Sequence, residues 1–426
     1  MKNQIKNNRI EDLHLLVYGT VVGIVAGLFS SFYRFIIHKI EHFLELIISV
    51  TRTDYRLYPF LIIFCIFVSI LIYYIKKSEP LCSGSGIPQV EAEIEGLLET
   101  NPLKVLFAKI FGGALTATCG FSVGREGPSI QIGAMCGKLV SKIFKQNSDI
   151  EKFLITCGAS AGLSAAFNAP MSGILFAVEE VHKHITKKLL VVCMSAAIIA
   201  DFISKMLYGT DTVFNLELLT KVELHNYWTV ILFGIVLSFL GMFYISLTKF
   251  FVKIQENIKI NPKLKLIPYF MLPIIILLFC PYLLGGGGML MKILQENTLH
   301  LKMLILVFII KLLFSIISFT SGVPGGIFFP ILVLGATIGA IFANIFDPVH
   351  INSFIILGMA GYLTAIVRAP LTATILIFEM TGNLSYLLPV SLVCLITYTL
   401  PNYLKSTPIY EFLLEKLLSK NSNIPK

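Results

Sequence analysis

The chain has 426 residues, of which 56% are hydrophobic and 14% are charged, and its formal net charge is +9. Its mean hydropathy of +0.81 lies far above that of a water-soluble domain, which excludes an ordinary soluble enzyme. The basic residues form short clusters beside apolar stretches, so we interpret the charge as a topology signal and expect no nucleic-acid partner.

Long apolar stretches recur along the whole chain. They cover residues 15–33, 58–74, 189–200, 228–247, 269–284 and 384–400. Several approach the roughly 20 residues that a helix needs to cross the hydrocarbon core of a bilayer. Because lipid offers the backbone no hydrogen-bond partners, the pattern predicts an all-α polytopic membrane protein.

Four basic clusters predict which loops face the cytoplasm. They are Lys2, Lys6 and Arg9; Lys76 and Lys77; Lys183, Lys187 and Lys188; and Lys416, Lys420 and Lys426. The positive-inside rule puts all four clusters, and hence both termini, in the cytoplasm. Arg52 and Arg56 oppose this assignment weakly, because their loop must then face outward.

Eight cysteines are scattered singly and form no CxxC pair. They are Cys65, Cys82, Cys119, Cys136, Cys157, Cys193, Cys280 and Cys394. Since no paired histidines lie nearby, we interpret them as small hydrophobic residues packed between helices and expect neither a metal nor a disulfide role.

The sequence repeats itself with an offset of about 200 residues. GLSAAFNAPMSGILFAVEE begins at Gly162, and GYLTAIVRAPLTATILIFEM begins at Gly361. The matched residues are Ala165 with Ala365, Ala169-Pro170 with Ala369-Pro370, and Glu179 with Glu379. We therefore expect two halves, 1–213 and 214–426, which an odd number of passes in each would make inverted. Transporters built in this way hold their substrate at the interface of the repeats.

Three segments place glycine and proline beside apolar stretches. They are GSGIP at residues 84–88, GREGP at 124–128 and GGIFFP at 325–330. Glycine permits unusual backbone angles and proline favours the first turn of a helix, so each segment predicts a helix that begins inside the membrane region. Such an end presents free N–H donors and a partial positive charge, which suits an anion.

In this order and spacing, the three segments resemble the signature segments of the CLC family of chloride channels and transporters. The resemblance covers nearly the whole chain and includes the closing segment KSTPIY, which ends at Tyr410. It implies a CLC-type fold of two inverted-repeat halves, with broken, re-entrant helices that meet at the anion site. It also implies a homodimer with one pore in each subunit.

The resemblance assigns the chloride ligands. Ser85 and Tyr410 would donate their hydroxyls to a central chloride, and the backbone N–H groups of Ile327 and Phe328 would complete the shell. Without the family pattern, Ser85 would be read as a helix cap and Tyr410 as an interfacial anchor. We expect no cofactor, with chloride as the transported ligand.

Glu126 of GREGP corresponds to the gating glutamate of the family. A carboxylate at a helix start inside a membrane can occupy an anion position when it is charged and leave that position when it is protonated. The alternative is a satisfied capping carboxylate, or a partner for Arg125.

Glu180 corresponds to the inner glutamate of the exchanger branch, which transfers protons on the cytoplasmic side. The second repeat has Met380 at the matching position, so repeat symmetry does not require this acid. The alternative is a charge partner for Lys183 or His184 at helical spacing.

Three further features carry less information. Glu93 has no role in the resemblance, and we expect it to face water. The glycines at residues 285–288 lack the ending of a phosphate-binding loop and predict an extramembrane turn. The chain ends about 16 residues after Tyr410, so we expect no cytoplasmic nucleotide-binding regulatory (CBS) domains.

The sequence thus predicts a secondary transporter that exchanges chloride for protons across a bilayer, in the inner membrane of a prokaryote. A passive chloride channel of the same family is the alternative. We expect no enzyme activity, because the sequence has no HExxH and no GxSxG within a strand-turn-helix setting.

Overall fold

The computed structural model describes residues 2–52, 54–210, 222–296 and 298–421. These residues form 17 α-helices and no β-strand, apart from two isolated backbone bridges. The boundary that we predict between residues 213 and 214 lies outside the described residues.

Eight helices form the first half of the chain. They are α1 (Lys2–Thr51), α2 (Tyr58–Ser78), α3 (Ile87–Ile94), α4 (Pro102–Thr118), α5 (Glu126–Ile143), α6 (Ser148–Phe167), α7 (Pro170–Phe176) and α8 (Lys187–Tyr208). A π-helical segment, Ala177–His182, continues directly from α7.

Eight helices of the second half follow the same order, and a ninth closes the chain. They are α9 (Tyr227–Asn257), α10 (Pro262–Phe279), α11 (Gly288–Gln295), α12 (Leu301–Thr320), α13 (Phe328–Phe346), α14 (Ile351–Val367), α15 (Pro370–Thr381), α16 (Leu387–Tyr403) and α17 (Ile409–Asn421).

Nine helical segments of the described chain are long and apolar enough to cross a membrane. The most buried of them contain α13 and α14, whose apolar windows are 78% and 89% buried inside the protein. Helices α2 and α10 expose most of their apolar surface, as helices that face lipid do. The chain is therefore a multi-pass membrane protein.

Matched glycines set the same helix crossing in both halves. A Cβ atom on Gly133 of α5 would overlap the carbonyl oxygen of Gly158 in α6. A Cβ atom on Gly335 of α13 would overlap the carbonyl oxygen of Gly358 in α14 in the same way. Small residues let helix backbones approach closely, so the repeat seen in the sequence is a repeat of packing.

The short helices α3 and α11 are also repeat counterparts, since both have eight residues and begin after a glycine with positive φ. These glycines are Gly86, with φ 93°, and Gly287, with φ 121°. Residues 285–287 form a turn directly before α11, and its position outside the membrane stays a prediction. In addition, the turn packs against the GGIFFP segment, where a Cβ atom on Gly286 would lie 3.1 Å from the ring of Phe329.

The cysteines pack as small hydrophobic residues. Seven of the eight are buried among the helices, and Cys280 is half-buried.

Candidate anion and proton site

Backbone hydrogen bonds join the three broken segments to one another. Gly84 N–H donates to the carbonyl of Val323 at 3.2 Å, and Gly325 N–H donates to the carbonyl of Gly84 at 3.0 Å. Gly124 and Gly326 exchange a pair of hydrogen bonds at 2.7 and 2.9 Å. GGIFFP is therefore tied to GSGIP on one side and to GREGP on the other.

This joining brings the starts of helices α3, α5 and α13 together, as the sequence predicts. The helices begin at Ile87, Glu126 and Phe328. Gly127 of α5 packs directly on Ser85, because a Cβ atom there would lie 3.0 Å from both Cβ and the carbonyl oxygen of Ser85. The N–H groups of a first helical turn have no acceptor within their own helix, so these starts present donors to a bound anion.

A broad cavity leads to Ser85. Its volume is about 450 Å³, and it is lined by residues that include Lys76, Ser83, Ser85, Gln89 and Lys416. The Ser85 hydroxyl oxygen accepts from Ile87 N–H at 3.4 Å, which leaves its own hydrogen free to turn toward a ligand. The two lysines belong to clusters that we predict to be cytoplasmic.

Tyr410 stands at the start of a fourth helix, α17, directly after Ile409. Its side chain is fully buried, and its hydroxyl makes no hydrogen bond within the described part of the chain. An unpaired buried hydroxyl is costly, so a ligand or water is expected at this atom. Tyr410 also lies within electrostatic range of Glu126 and Glu180.

Ile327 and Phe328 are fully buried at the start of α13. The ring of Phe328 packs against Phe167 at 5.7 Å and Phe176 at 5.9 Å, measured between ring centroids. Phe176 is the last residue of α7 before the π-helical segment. The first turn of α13 therefore contacts the end of α7, which leads directly into the segment that carries Glu180.

Glu126 is buried at the first position of α5, with 2% of its surface exposed. The backbone N–H groups of Glu126 and Phe329 act on its carboxylate, whereas Oε2 has no hydrogen-bond partner in the described residues. Arg125 also acts electrostatically on this carboxylate, so a pairing with Arg125 remains the alternative to the gating role. The carboxylate thus occupies a position suited to an anion.

A second, narrow cavity of about 20 Å³ lies beside Gly124 and Arg125 and is also lined by Tyr33 and Glu41. This volume is enough for one water molecule. The residue before Glu126, Arg125, therefore lines the narrow cavity, and the residue after it, Gly127, packs on Ser85, which lines the broad one.

Glu180 lies in the π-helical segment and is 7% exposed. The charged groups that act on it electrostatically include Glu91, Lys183, Glu179 and Glu411. Lys183 forms an ion pair with the fully buried Glu91 of α3. The ion-pair partner of Lys183 is therefore Glu91 and not Glu180. The π-helical conformation was not predicted, and single π turns of this kind are frequent at functional sites.

The expectation that Glu93 faces water is wrong. Its side chain is buried and forms an ion pair with Lys138 of α5. Thr100 donates its hydroxyl to both carboxylate oxygens at 2.8 Å, and Lys138 also donates to the carbonyl of Thr100 at 2.9 Å. Both charges are thereby satisfied, and the group ties α3 to α5.

Sequence reasoning missed two buried lysines that brace the helix starts. Lys109 of α4 donates to the carbonyls of Cys82 at 2.9 Å and Gly84 at 2.7 Å, just before α3. Lys311 of α12 donates to the carbonyls of Leu283 at 2.9 Å and Gly285 at 2.8 Å, just before α11. The available signal was a lysine near the middle of an apolar helix in each half.

The fold and this site define a multi-pass membrane protein in which interrupted helices meet at buried hydroxyls and acids. The sequence matches the family described as "Voltage gated chloride channel" over residues 64–402. The chain belongs to this family, and the resemblance seen in its three segments is confirmed.

Named relatives agree with this assignment. The chain is 30% identical to the "H(+)/Cl(-) exchange transporter ClcA" of Salmonella paratyphi B, in an alignment that covers 96% of this chain and 89% of the relative. The protein of Vibrio parahaemolyticus with the same name is also 30% identical, over 98% of this chain and 93% of the relative.

A solved structure confirms the predicted fold. The crystal structure of a slow cyanobacterial Cl-/H+ antiporter superimposes with a TM-score of 0.90 at 29% identity, covering 96% of this chain and 99% of that chain.

Proposed function

We propose that this protein is a secondary active transporter that exchanges chloride for protons across the membrane. The observation that carries the proposal is the arrangement of two buried acids, Glu126 and Glu180, both within electrostatic range of the unpaired hydroxyl of Tyr410. A passive pore for anions needs no second buried acid. The named exchangers that resemble the chain support the same function.

The proposed chloride site consists of the hydroxyls of Ser85 and Tyr410 and the backbone N–H groups of Ile327 and Phe328. Support comes from the cavity that reaches Ser85, the unpaired Tyr410 hydroxyl and the start of α13 at Phe328. Donors of this kind hold an anion without a full opposing charge, so that the ion can also leave.

Glu126 is the proposed gate and outer proton site. As a carboxylate it competes with chloride for the helix-start donors, and as an acid it releases them. Glu180 is the proposed inner proton relay. Its burial next to the lysine cluster that we predict to be cytoplasmic supports this role.

The protein is further proposed to form a homodimer with one pore in each subunit, in the inner membrane, with both termini in the cytoplasm. The family assignment supports the dimer, and the positions of the basic clusters support the orientation.

Purified protein in liposomes tests this function directly. With a chloride gradient imposed and the voltage held at zero by a potassium ionophore, we expect protons to move against chloride and the external pH to change. Glu180→Gln is expected to abolish the proton movement while chloride flux persists. Chloride flux without any proton movement in the unaltered protein would overturn the exchanger and indicate a channel.

A further inference from the structure

Two glutamates cross between the halves and cap each other's helices. Glu179, in the π-helical segment of the first half, accepts from the backbone N–H groups of Leu371 at 3.2 Å and Thr372 at 2.9 Å. It also accepts from the Thr372 hydroxyl at 2.8 Å. These donors form the first turn of α15 in the second half.

Glu379 makes the mirror-image contacts. It accepts from the backbone N–H groups of Met171 at 2.9 Å and Ser172 at 2.8 Å, and from the Ser172 hydroxyl. These donors form the first turn of α7. The end of each repeat element therefore holds the start of its counterpart, which requires the two elements to run antiparallel.

Each cap is a strong local contact. The helix starts leave N–H groups without partners, and an ionised carboxylate satisfies them while it also interacts favourably with the helix dipole. Ser172 and Thr372 are fully buried, so the hydroxyl contacts are shielded from water. We call Glu179 with the α15 start, and Glu379 with the α7 start, the two repeat caps.

The two repeat caps differ in the residues that come directly after each glutamate. After Glu379 the helix continues as α-helix through Met380 to Thr381. Glu179 lies in a π-helical segment and precedes Glu180, the proposed inner proton relay. A π turn shifts the direction of the side chains beyond it, so the orientation of Glu180 depends on how that segment is held.

We propose that Glu179 is a positioning residue for Glu180: by its attachment to the first turn of α15, it fixes the π-helical segment so that Glu180 faces the transport path. Because the anchor belongs to the second half, a displacement of α15 moves the inner proton site. The proposal rests on the proposed exchange of chloride for protons.

The chain supplies a matched control for this proposal. Glu179→Gln and Glu379→Gln each remove one charge and weaken the same three hydrogen bonds, but only Glu179 adjoins an acid. We expect Glu179→Gln to lower the ratio of proton flux to chloride flux in liposomes several-fold, and Glu379→Gln to leave the ratio unchanged. Thermal unfolding in detergent is expected to shift similarly in both variants.

A second pair of variants separates positioning from direct proton transfer by Glu179. Thr372→Val removes the hydroxyl of the anchor and keeps the Glu179 carboxylate, so we expect the flux ratio to fall in the same direction. Ser172→Ala, in the other cap, is expected to keep the ratio. The double variant Glu179→Gln/Thr372→Val is expected to be no worse than Glu179→Gln alone, because both changes act through one contact.

The outcomes are distinguishable. If Glu179→Gln and Glu379→Gln lower the ratio equally, the caps only fasten the halves together, and the positioning role is refuted. An unchanged ratio in both Glu179→Gln and Thr372→Val also refutes it. Absence of proton movement in the unaltered protein would instead refute the proposed exchange itself.

Discussion

At the scale of single residues, two hydroxyls dominate the proposed chloride site. Ser85→Ala and Tyr410→Phe each remove one hydroxyl donor, and Ser85→Ala also removes the long contact from Ile87 N–H at the start of α3. Since a hydrogen bond to a charged group contributes roughly 1.5–3 kcal/mol, each change is expected to weaken chloride binding by about tenfold or more. Isothermal titration of the detergent-purified protein with chloride measures this effect.

Ser83→Ala provides the control for that experiment. Ser83 lines the same broad cavity but stands before the turn that begins α3. Its removal is expected to leave chloride affinity unchanged. Equal weakening by Ser83→Ala and Ser85→Ala would show that the cavity attracts the anion without a specific hydroxyl.

The buried lysines give a second prediction at this scale. Lys109→Met removes the lysine donor from the carbonyls of Cys82 and Gly84. The Gly84 carbonyl keeps its hydrogen bond from Gly325 N–H, so the cost of about 1–3 kcal/mol for an unsatisfied group applies to the Cys82 carbonyl. The Ser85 turn then loses its support, so both thermal stability and chloride affinity are expected to fall.

Lys311→Met separates the effect on thermal stability from the effect on chloride affinity. It removes the equivalent contacts before α11, where the matching turn carries glycine in place of the Ser85 hydroxyl. A similar loss of thermal stability with unchanged chloride affinity is expected. If both variants bind chloride as the unaltered protein does, the Lys109 brace has no part in shaping the anion site.

At the scale of helices, the glycine crossings set the distance between α5 and α6 and between α13 and α14. Gly133→Leu and Gly335→Leu each force a side chain against a facing backbone carbonyl, with no flexible neighbour to yield. Both variants are expected to lose the folded, monodisperse peak in size-exclusion chromatography.

Gly288→Ala tests the specificity of that result. Nothing lies within 4 Å of a Cβ atom at this position, and the residue begins α11. A normal elution profile is expected, because the added methyl group meets open space. A normal profile for Gly133→Leu would mean that α5 can move away from α6.

The broken helices show which element boundaries a sequence can reveal. The starts of α3, α5 and α13 were predictable because glycine and proline mark them locally, within five or six letters. The π-helical segment was not predictable. Its letters, AVEEVH, suit an ordinary helix, and the departure is held by contacts with residues about 190 positions away.

At the scale of the whole molecule, the repeat was visible because both halves keep their glycine, proline and acidic positions in the same order. What the repeated letters could not show is where each side chain is directed. In the sequence, the matched Glu179 and Glu379 indicate only that the two halves are similar. In the structure, each carboxylate accepts hydrogen bonds from the first turn of a helix in the other half.

Glu93 shows the same limit of sequence reasoning, because its pattern suggests exposure to water and the structure buries it. Glu91, Glu93 and Glu95 alternate along a short segment and look like a solvated face. In the fold, Glu91 and Glu93 meet different lysines, Lys183 and Lys138, which come from separate elements. Long-range ion pairs of this kind depend on the assembled bundle and leave no local pattern in the sequence.

The hydrogen bonds that hold the three broken segments together come from glycine main-chain atoms at residues 84, 124, 325 and 326. Every amino acid except proline carries the same N–H and carbonyl groups. Substitution can therefore change the side chains around the three segments while the main-chain contacts that join these segments persist.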